Sequence, residues 1–232
     1  MEPVPEDWER ALAVVAHPDD MEYGAASAVA RWTDQGKTVT YVLATRGEAG
    51  IDALEPEECA RVREAEELAG AGAVGVAAVE FLEHSDGLVE YGLPLRRDLA
   101  LAIRRHRPEV LVTLNYDERW GGGSLNMADH RHVGLAALDA IRDAANRWIF
   151  GGTRGPKPWP GVRFALVAGS PRPTHFADIS DHLDRGVASL AAHARYLAHV
   201  GTDPRALLTE IAAQAGARSG VRYATEFELV PF

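Results

Sequence analysis

Short apolar runs alternate with helical segments along most of this chain, and that alternation constrains the fold more than any other feature. "ALAVVAH" reads as a buried strand and "YGAASAVARWTDQG" as a helix closed by Gly36. "KTVTYVLAT" is a second strand, and Pro56 opens a long helix through "EECARVREAEELAGAGAV". The short strand "AAVEFLEH", the helix "LPLRRDLALAIRRHRP" and the strand "EVLVTLN" repeat the pattern. A Gly-rich loop, "YDERWGGGSLNM", leads into the helix "ADHRHVGLAALDAIRDAANRW". After "GGTRGPKPWPG" come the strand "RFALVAGS", the helices "DHLDRGVASLAAHARYLAHV" and "PRALLTEIAAQAGA", and one more strand in "VRYATEFELVPF". Strands separated by helices of about 12 residues or more imply βαβ units. The expected fold is α/β: a Rossmann-like, doubly wound, mainly parallel sheet with helices on both faces. A single domain over residues 1–232 accommodates it.

Sheets of this kind place their ligands beyond the carboxyl ends of the strands. His17, Arg46, Asp86 and Tyr116 all fall in loops that follow strands, so the topology brings them to one rim. The first of these loops lies in "VVAHPDDMEYGAA", where an apolar run stops at His17, Pro18, Asp19 and Asp20. Two adjacent carboxylates at a buried strand end are costly unless a cation sits between them. Zinc accepts imidazole and carboxylate donors, and a catalytic site uses three protein ligands and one open position. His17 and Asp20 supply two of them, and His130 in "NMADHRHVG" supplies a third from another loop at the same rim. His132 points away from His130 on a helix, so one of the pair ligates. Asp129 is placed to cap that helix. Asp19, next to a ligand and free of that duty, is placed to accept a proton from water.

Composition removes several other classes. Against 24 basic residues stand 34 acidic ones, a formal charge of −10, which argues against a nucleic acid partner. Cys59 is the sole cysteine, so there is no internal disulfide and no cysteine-based zinc knuckle. It lies in a charged helical pattern with no base beside it, which is not the setting of a catalytic thiol. "MEPVPEDWER" is not an apolar signal region, and no apolar run approaches the ~18 residues of a membrane span, so a cytoplasmic protein is expected. "GAGAVG", residues 70–75, matches a dinucleotide pattern, but a helix precedes it and a strand follows, so it reads as a helix end and turn. "WGGGSLN", residues 120–126, lacks the lysine of a phosphate-binding loop and reads as a loop flanking a pocket. Trp120 and Trp159 are candidate surfaces for sugar stacking.

With "AHPDDME" and "DHRHVG" in view, the sequence resembles the PIG-L/LmbE-like family of zinc-dependent N-deacetylases. "TRGEAG", "RVREAEELAGAGAVGV", "FLEHSDG", "FADISDHLDRGVASLAAHARY" and "YATEF" extend the resemblance over most of the chain. It implies hydrolysis of an acetamide on an amino sugar or sugar conjugate. It makes His17, Asp20 and His130 the ligands of Zn2+ and Asp19 the general base, although such donors also suit iron, cobalt or nickel. It places Arg46, Glu48 and Asp86 near substrate. The family usually reads H-P-D-H at its second motif, where the first histidine is thought to bind the oxyanion. This chain reads Met127-Ala128-Asp129-His130, and Met127 cannot donate such a bond. Asn126, Arg46 or Tyr116 would have to replace that donor, with Asp129 left as a cap or a support for the ligands. Two alternatives stay open: a zinc amidohydrolase acting on a different amide in a tailoring pathway, and a catalytically impaired binding protein. Gly186 is a lesser departure, standing where family helices commonly carry lysine. The expected partner is a small acylated amino sugar or glycoside, and a homo-oligomer is compatible with the sequence.

Overall fold

The apolar run that ends before His17 forms a central strand, flanked on both sides by parallel neighbours. The computed structural model describes residues 1–76, 78–151 and 155–232. The first residue of the strand expected at 77–84 and residues 152–154 of the loop expected at 151–161 lie outside the described residues. In chain order the elements begin with β1 (Glu2–Pro3), β2 (Arg10–Val15), α1 (Asp20–Gly24), α2 (Ala26–Asp34), β3 (Thr38–Leu43) and α3 (Pro56–Ala73). They continue with β4 (Ala78–Phe81), α4 (Leu93–His106), β5 (Val110–Leu114), α5 (Ala128–Ala145) and β6 (Phe164–Ala168). The chain ends with β7 (His175–Asp178), α6 (Leu183–Ala191), α7 (Ala194–Val200), α8 (Pro204–Ser219) and β8 (Ala224–Pro231).

The strands form one sheet in the order β1-β7-β8-β6-β5-β2-β3-β4. All pairs are parallel except β8, which runs antiparallel to both β6 and β7. The Rossmann-like, mainly parallel sheet expected from the sequence is thus the observed architecture. Side chains alternate across β2 with a period of two, so both faces are buried. Ala11, Ala13 and Val15 join one core with Trp32, Tyr41 and Phe227, whereas Leu12 and Val14 join the other with Leu99, Ile103 and Leu111.

Local chemistry sets the helix ends. Pro56 occupies the start of α3 with Glu57 and Glu58 in its first turn, where acidic groups meet the positive end of the helix. Gly75 closes the same helix at φ +81°, and the Val76 N–H returns to the Ala71 carbonyl at 2.9 Å. That turn accounts for Gly75, whereas Gly70 lies inside α3 in close contact with Ser189 and His193.

The structure corrects two expected helices and adds two strands. The helix expected at 23–36 begins three residues earlier, at Asp20, and breaks at Ala25 into α1 and α2. The helix expected at 181–200 breaks at Ala192 and His193 into α6 and α7. Apolar periodicity runs through both breaks, so a backbone turn with the same burial leaves no mark in the pattern. β1 and β7 have no counterpart among the expected strands, because runs of two and four residues carry too little alternation to read as strands.

Candidate active site

The direction of winding reverses at β2, since β3 lies on one side of it and β5 on the other. Crevices at such switch points, beyond the carboxyl ends of the strands, are where open α/β sheets bind ligands. His17 leaves the end of β2, His130 stands in the first turn of α5 after β5, and Asp86 follows β4. The turn after β2 is folded by its own aspartate. Asp20 Oδ2 accepts the backbone N–H groups of Ala16 and His17, each at 2.9 Å, which aims Asp20 and His17 into one space.

His130 reaches that space from α5. Its Nε2 lies 3.1 Å from Asp20 Oδ1 and 3.3 Å from His17 Nδ1, while His17 Nδ1 is 3.7 Å from Asp20 Oδ2. A tetrahedral cation with ligand bonds of about 2.0–2.1 Å has donor–donor edges of about 3.3–3.4 Å. The His130–His17 and His130–Asp20 edges are close to that spacing, and the three donors expected from the sequence all lie within 4.8 Å of one another. Two imidazole nitrogens and a carboxylate are also the donor chemistry that zinc and its neighbours prefer.

The other nitrogen of His17 is oriented by carboxylates. His17 Nε2 lies 3.1 Å from Asp86 Oδ1 and 3.2 Å from Asp129 Oδ2. Those carboxylates are themselves held, Asp129 by the N–H groups of Gly87 at 2.7 Å and Val89 at 3.2 Å, and Asp86 by the N–H of Ala49 at 2.9 Å. His17, Asp86 and Asp129 also form a donor cluster. Its carboxylates already accept backbone hydrogen bonds, so it acts as the outer support of the first cluster. Asp129 spends its oxygens on the loop after β4, and no side-chain cap to its own helix forms. Asn126 supports His130 in the same way. Its Oδ1 lies 3.0 Å from His130 Nδ1, and its amide N–H groups reach the Asn115 and Asp117 carbonyls at 2.7 and 3.1 Å.

Asp19 sits beside this set in the left-handed region, at φ 88°, a conformation that costs free energy for any residue but glycine. Its N–H donates to Glu67 Oε2 at 3.0 Å and its Oδ1 lies 3.2 Å from Arg63 Nη2. Its second carboxylate oxygen, Oδ2, is buried and has no partner. Burial, opposed by the Arg63 guanidinium, pushes the Asp19 carboxyl well above its ordinary range. Burial works against the charge of Asp20 too, but the imidazoles of His130 and His17 outweigh it and hold that carboxyl well down. For His17, burial is outweighed by Asp129, Asp20 and Asp86, and the imidazole is raised well above its ordinary value.

A cavity of about 380 Å³ opens onto these groups, lined by His17, Asp19, Asp20, Asp86 and His130 with Tyr23, Arg63, Trp120, Met127 and Tyr196. Trp120 stands edge-on to His130 with ring centroids 5.8 Å apart. Trp159 is elsewhere: its Nε1 donates to the Pro108 carbonyl at 2.7 Å, and it packs on the opposite core. Arg46 pairs with Glu64 and lines a neighbouring cavity of about 510 Å³ with Glu48 and His84. Glu48 ties the two loops together, accepting the Asp86 N–H at 2.9 Å. Tyr116 packs in the core with Gly134 against its Cβ. Of the replacement donors considered for Met127, none lines the catalytic cavity.

Arg63, Glu67 and Tyr196 also surround Asp19 but belong to none of the candidate residues the sequence singles out. Arg63 is almost wholly buried, with its guanidinium 3.7 Å from the centre of the Tyr196 ring and a hydrogen bond to the Pro18 carbonyl. A signal existed. Arg63 and Glu67 share the buried face of α3 with Cys59 and Gly70, and charges on the inward face of a helix have partners or a task. Cys59 is buried and its thiol donates to the Gly47 carbonyl at 3.3 Å, a structural place.

A donor set for a cation, beside a buried carboxylate with a free oxygen, at the switch point of a parallel sheet, defines the centre of a hydrolytic enzyme. Residues 12–141 match the profile of the PIG-L family, GlcNAc-PI de-N-acetylase, and the chain belongs to that family. It is an N-deacetylase. Diacetylchitobiose deacetylase of Thermococcus kodakarensis is 28% identical over 97% of this chain and 84% of its own length. The 1D-myo-inositol 2-acetamido-2-deoxy-alpha-D-glucopyranoside deacetylase of Acidothermus cellulolyticus is 27% identical over 81% of this chain and 79% of its own. Among solved structures, N,N'-diacetylchitobiose deacetylase from Pyrococcus horikoshii shares the fold with a TM-score of 0.88 over 97% of this chain and 85% of that one, at 24% identity.

Proposed function

We propose that the protein removes the N-acetyl group of an N-acetylglucosamine-type sugar or conjugate, with zinc held by His17, Asp20 and His130 and with Asp19 as general base. The observation that carries this reading is the convergence of those donors within 4.8 Å of one another, in the same cavity as Asp19, whose Oδ2 is buried and unpartnered. A bound divalent cation supplies Lewis-acid polarisation of the acyl carbonyl and lowers the pKa of water. Asp19 Oδ2 takes the proton from the attacking water and returns it to the departing nitrogen, so that amide and water give acetate and a free amine. Arg63 faces Asp19 Oδ1 and leaves Oδ2 without a partner. Asp129 and Asp86 keep His17 turned so that Nδ1 is its ligating nitrogen, and Asn126 engages His130 Nδ1 so that Nε2 ligates there. Trp120, at the cavity wall, offers a face for a sugar ring. Glu48 holds the Asp86 loop, and Arg46 bears on substrate only where the substrate extends past the Asp86 loop. The single cysteine and acidic balance suit a reducing cytoplasmic setting.

Turnover of N,N'-diacetylchitobiose, read as acetate released, tests the assignment directly. Asp19→Asn keeps its metal and loses roughly 10²–10⁴ in kcat. His130→Ala loses metal and activity together. Normal turnover in Asp19→Asn rules Asp19 out as the general base. A second reading, cleavage of a different amide, draws on Met127 in place of an oxyanion donor. A panel of N-acylated amines separates the two by which acyl group leaves.

A further inference from the structure

Three side chains that the reaction does not use meet in the interior: Glu22 on α1, Glu67 on α3, and His193 at the break between α6 and α7. Their exposures are 1%, 1% and 0%. His193 Nε2 lies 3.8 Å from Glu22 Oε2 and 3.8 Å from Glu67 Oε2. Neither ring nitrogen of His193 has a hydrogen-bond partner, and neither has Glu22 Oε2. Burial, with the Arg63 charge, pushes the His193 imidazole down to about 3, which leaves a ring nitrogen with a free lone pair. Arg63 is already engaged by Asp19, the Pro18 carbonyl and the Tyr196 ring. A buried imidazole nitrogen and a buried carboxylate oxygen without partners are costly, and a cation between them satisfies both. Gly70 lets the α3 backbone approach the cluster closely: a Cβ there would stand 3.1 Å from His193 Nε2 and 3.2 Å from Glu22 Oε1.

We propose that Glu22, Glu67 and His193 bind a second, structural divalent cation behind the catalytic base. One imidazole nitrogen and two carboxylate oxygens suit zinc, manganese or iron(II). Donor edges of 3.8 Å close by a few tenths of an ångström around zinc and by less around a larger ion. The ion pins α1, α3 and the α6–α7 break to one another. Glu67 Oε2 also accepts the Asp19 N–H at 3.0 Å, so the same ion fixes the left-handed backbone on which the base stands.

Zinc content after loading and dialysis, measured on the wild type, His17→Ala and His193→Leu, tests this. Two zinc ions per chain in the wild type and one in each variant are expected, with a smaller gain in Tm from zinc in His193→Leu than in the wild type. One zinc in the wild type and none in His17→Ala overturns the second site and leaves the catalytic one standing. One zinc that survives in His17→Ala but not in His193→Leu supports the second site and overturns the catalytic assignment. Should His193→Leu fail to fold, His17→Ala decides alone: a retained zinc supports the site and its absence overturns it.

Discussion

At the scale of single residues, the site depends on groups that act through others. Asp129 bonds two backbone amides of the loop after β4 and one nitrogen of His17. Asp129→Asn replaces an acceptor-only group with one that presents N–H groups to donors, at a cost of about 1–3 kcal/mol for the lost bonds. Metal affinity falls by roughly 10–100-fold as His17 loses its orientation. Competition with a chelator measures the affinity; an unchanged value removes Asp129 from the support of His17. Met127 is the opposite case, an exposed apolar side chain at the wall of the catalytic cavity. Met127→His restores the residue that the resemblance places there, and a single oxyanion donor is worth roughly 10²–10³ in kcat. A rise in kcat with little change in KM is expected. No rise means that a donor already in the cavity, with Arg63, Tyr23, Tyr196 and Trp120 as its donor-bearing walls, does that work.

At the scale of elements, close approach explains a position that the family pattern left odd. α6 crosses α2 at Gly186, where a Cβ would stand 2.0 Å from Ser27 Oγ and 2.9 Å from the Ser27 nitrogen. The obstacle is partly backbone, so a side chain there must push the helices apart. Gly186→Ala is expected to cost about 1–3 kcal/mol, the range of overpacked cores, despite the higher helix propensity of alanine. For a chain of this length that lowers Tm by several degrees, about 2–4 °C per kcal/mol. An unchanged Tm by calorimetry contradicts the tight crossing. Helix breaks belong to this scale as well. Ala25 and the pair Ala192–His193 interrupt helices inside apolar patterns that continue across them, so the breaks show only in the folded backbone.

For the whole molecule, the C-terminal strand carries more than its position in the chain indicates. β8 lies between β6 and β7 and is antiparallel to both, so β7 and β1 reach the sheet only through it. Truncation after Gly220 exposes the edge of β6 and uncovers Phe227's place in the core, and a chain that no longer melts cooperatively is expected. Retention of a cooperative transition by calorimetry shows that β6 holds the remaining sheet alone. Among the described residues no helix is long and apolar enough to cross a membrane. By itself the sequence determined the alternation of strands and helices, the parallel character of the sheet and the candidacy of His17, Asp20 and His130. Those follow from periodicities and residue types confined to windows of a few residues. Only the tertiary structure decided that β8 inserts antiparallel, that Asp86 and Asp129 share one nitrogen of His17, and that Arg46 turns away to Glu64. Only it brought Glu22, Glu67 and His193 together from three parts of the chain. The reason is the range of the interactions: hydrophobic period and turn chemistry act between neighbours in the chain, whereas register, crossing and charge pairing join residues far apart in it.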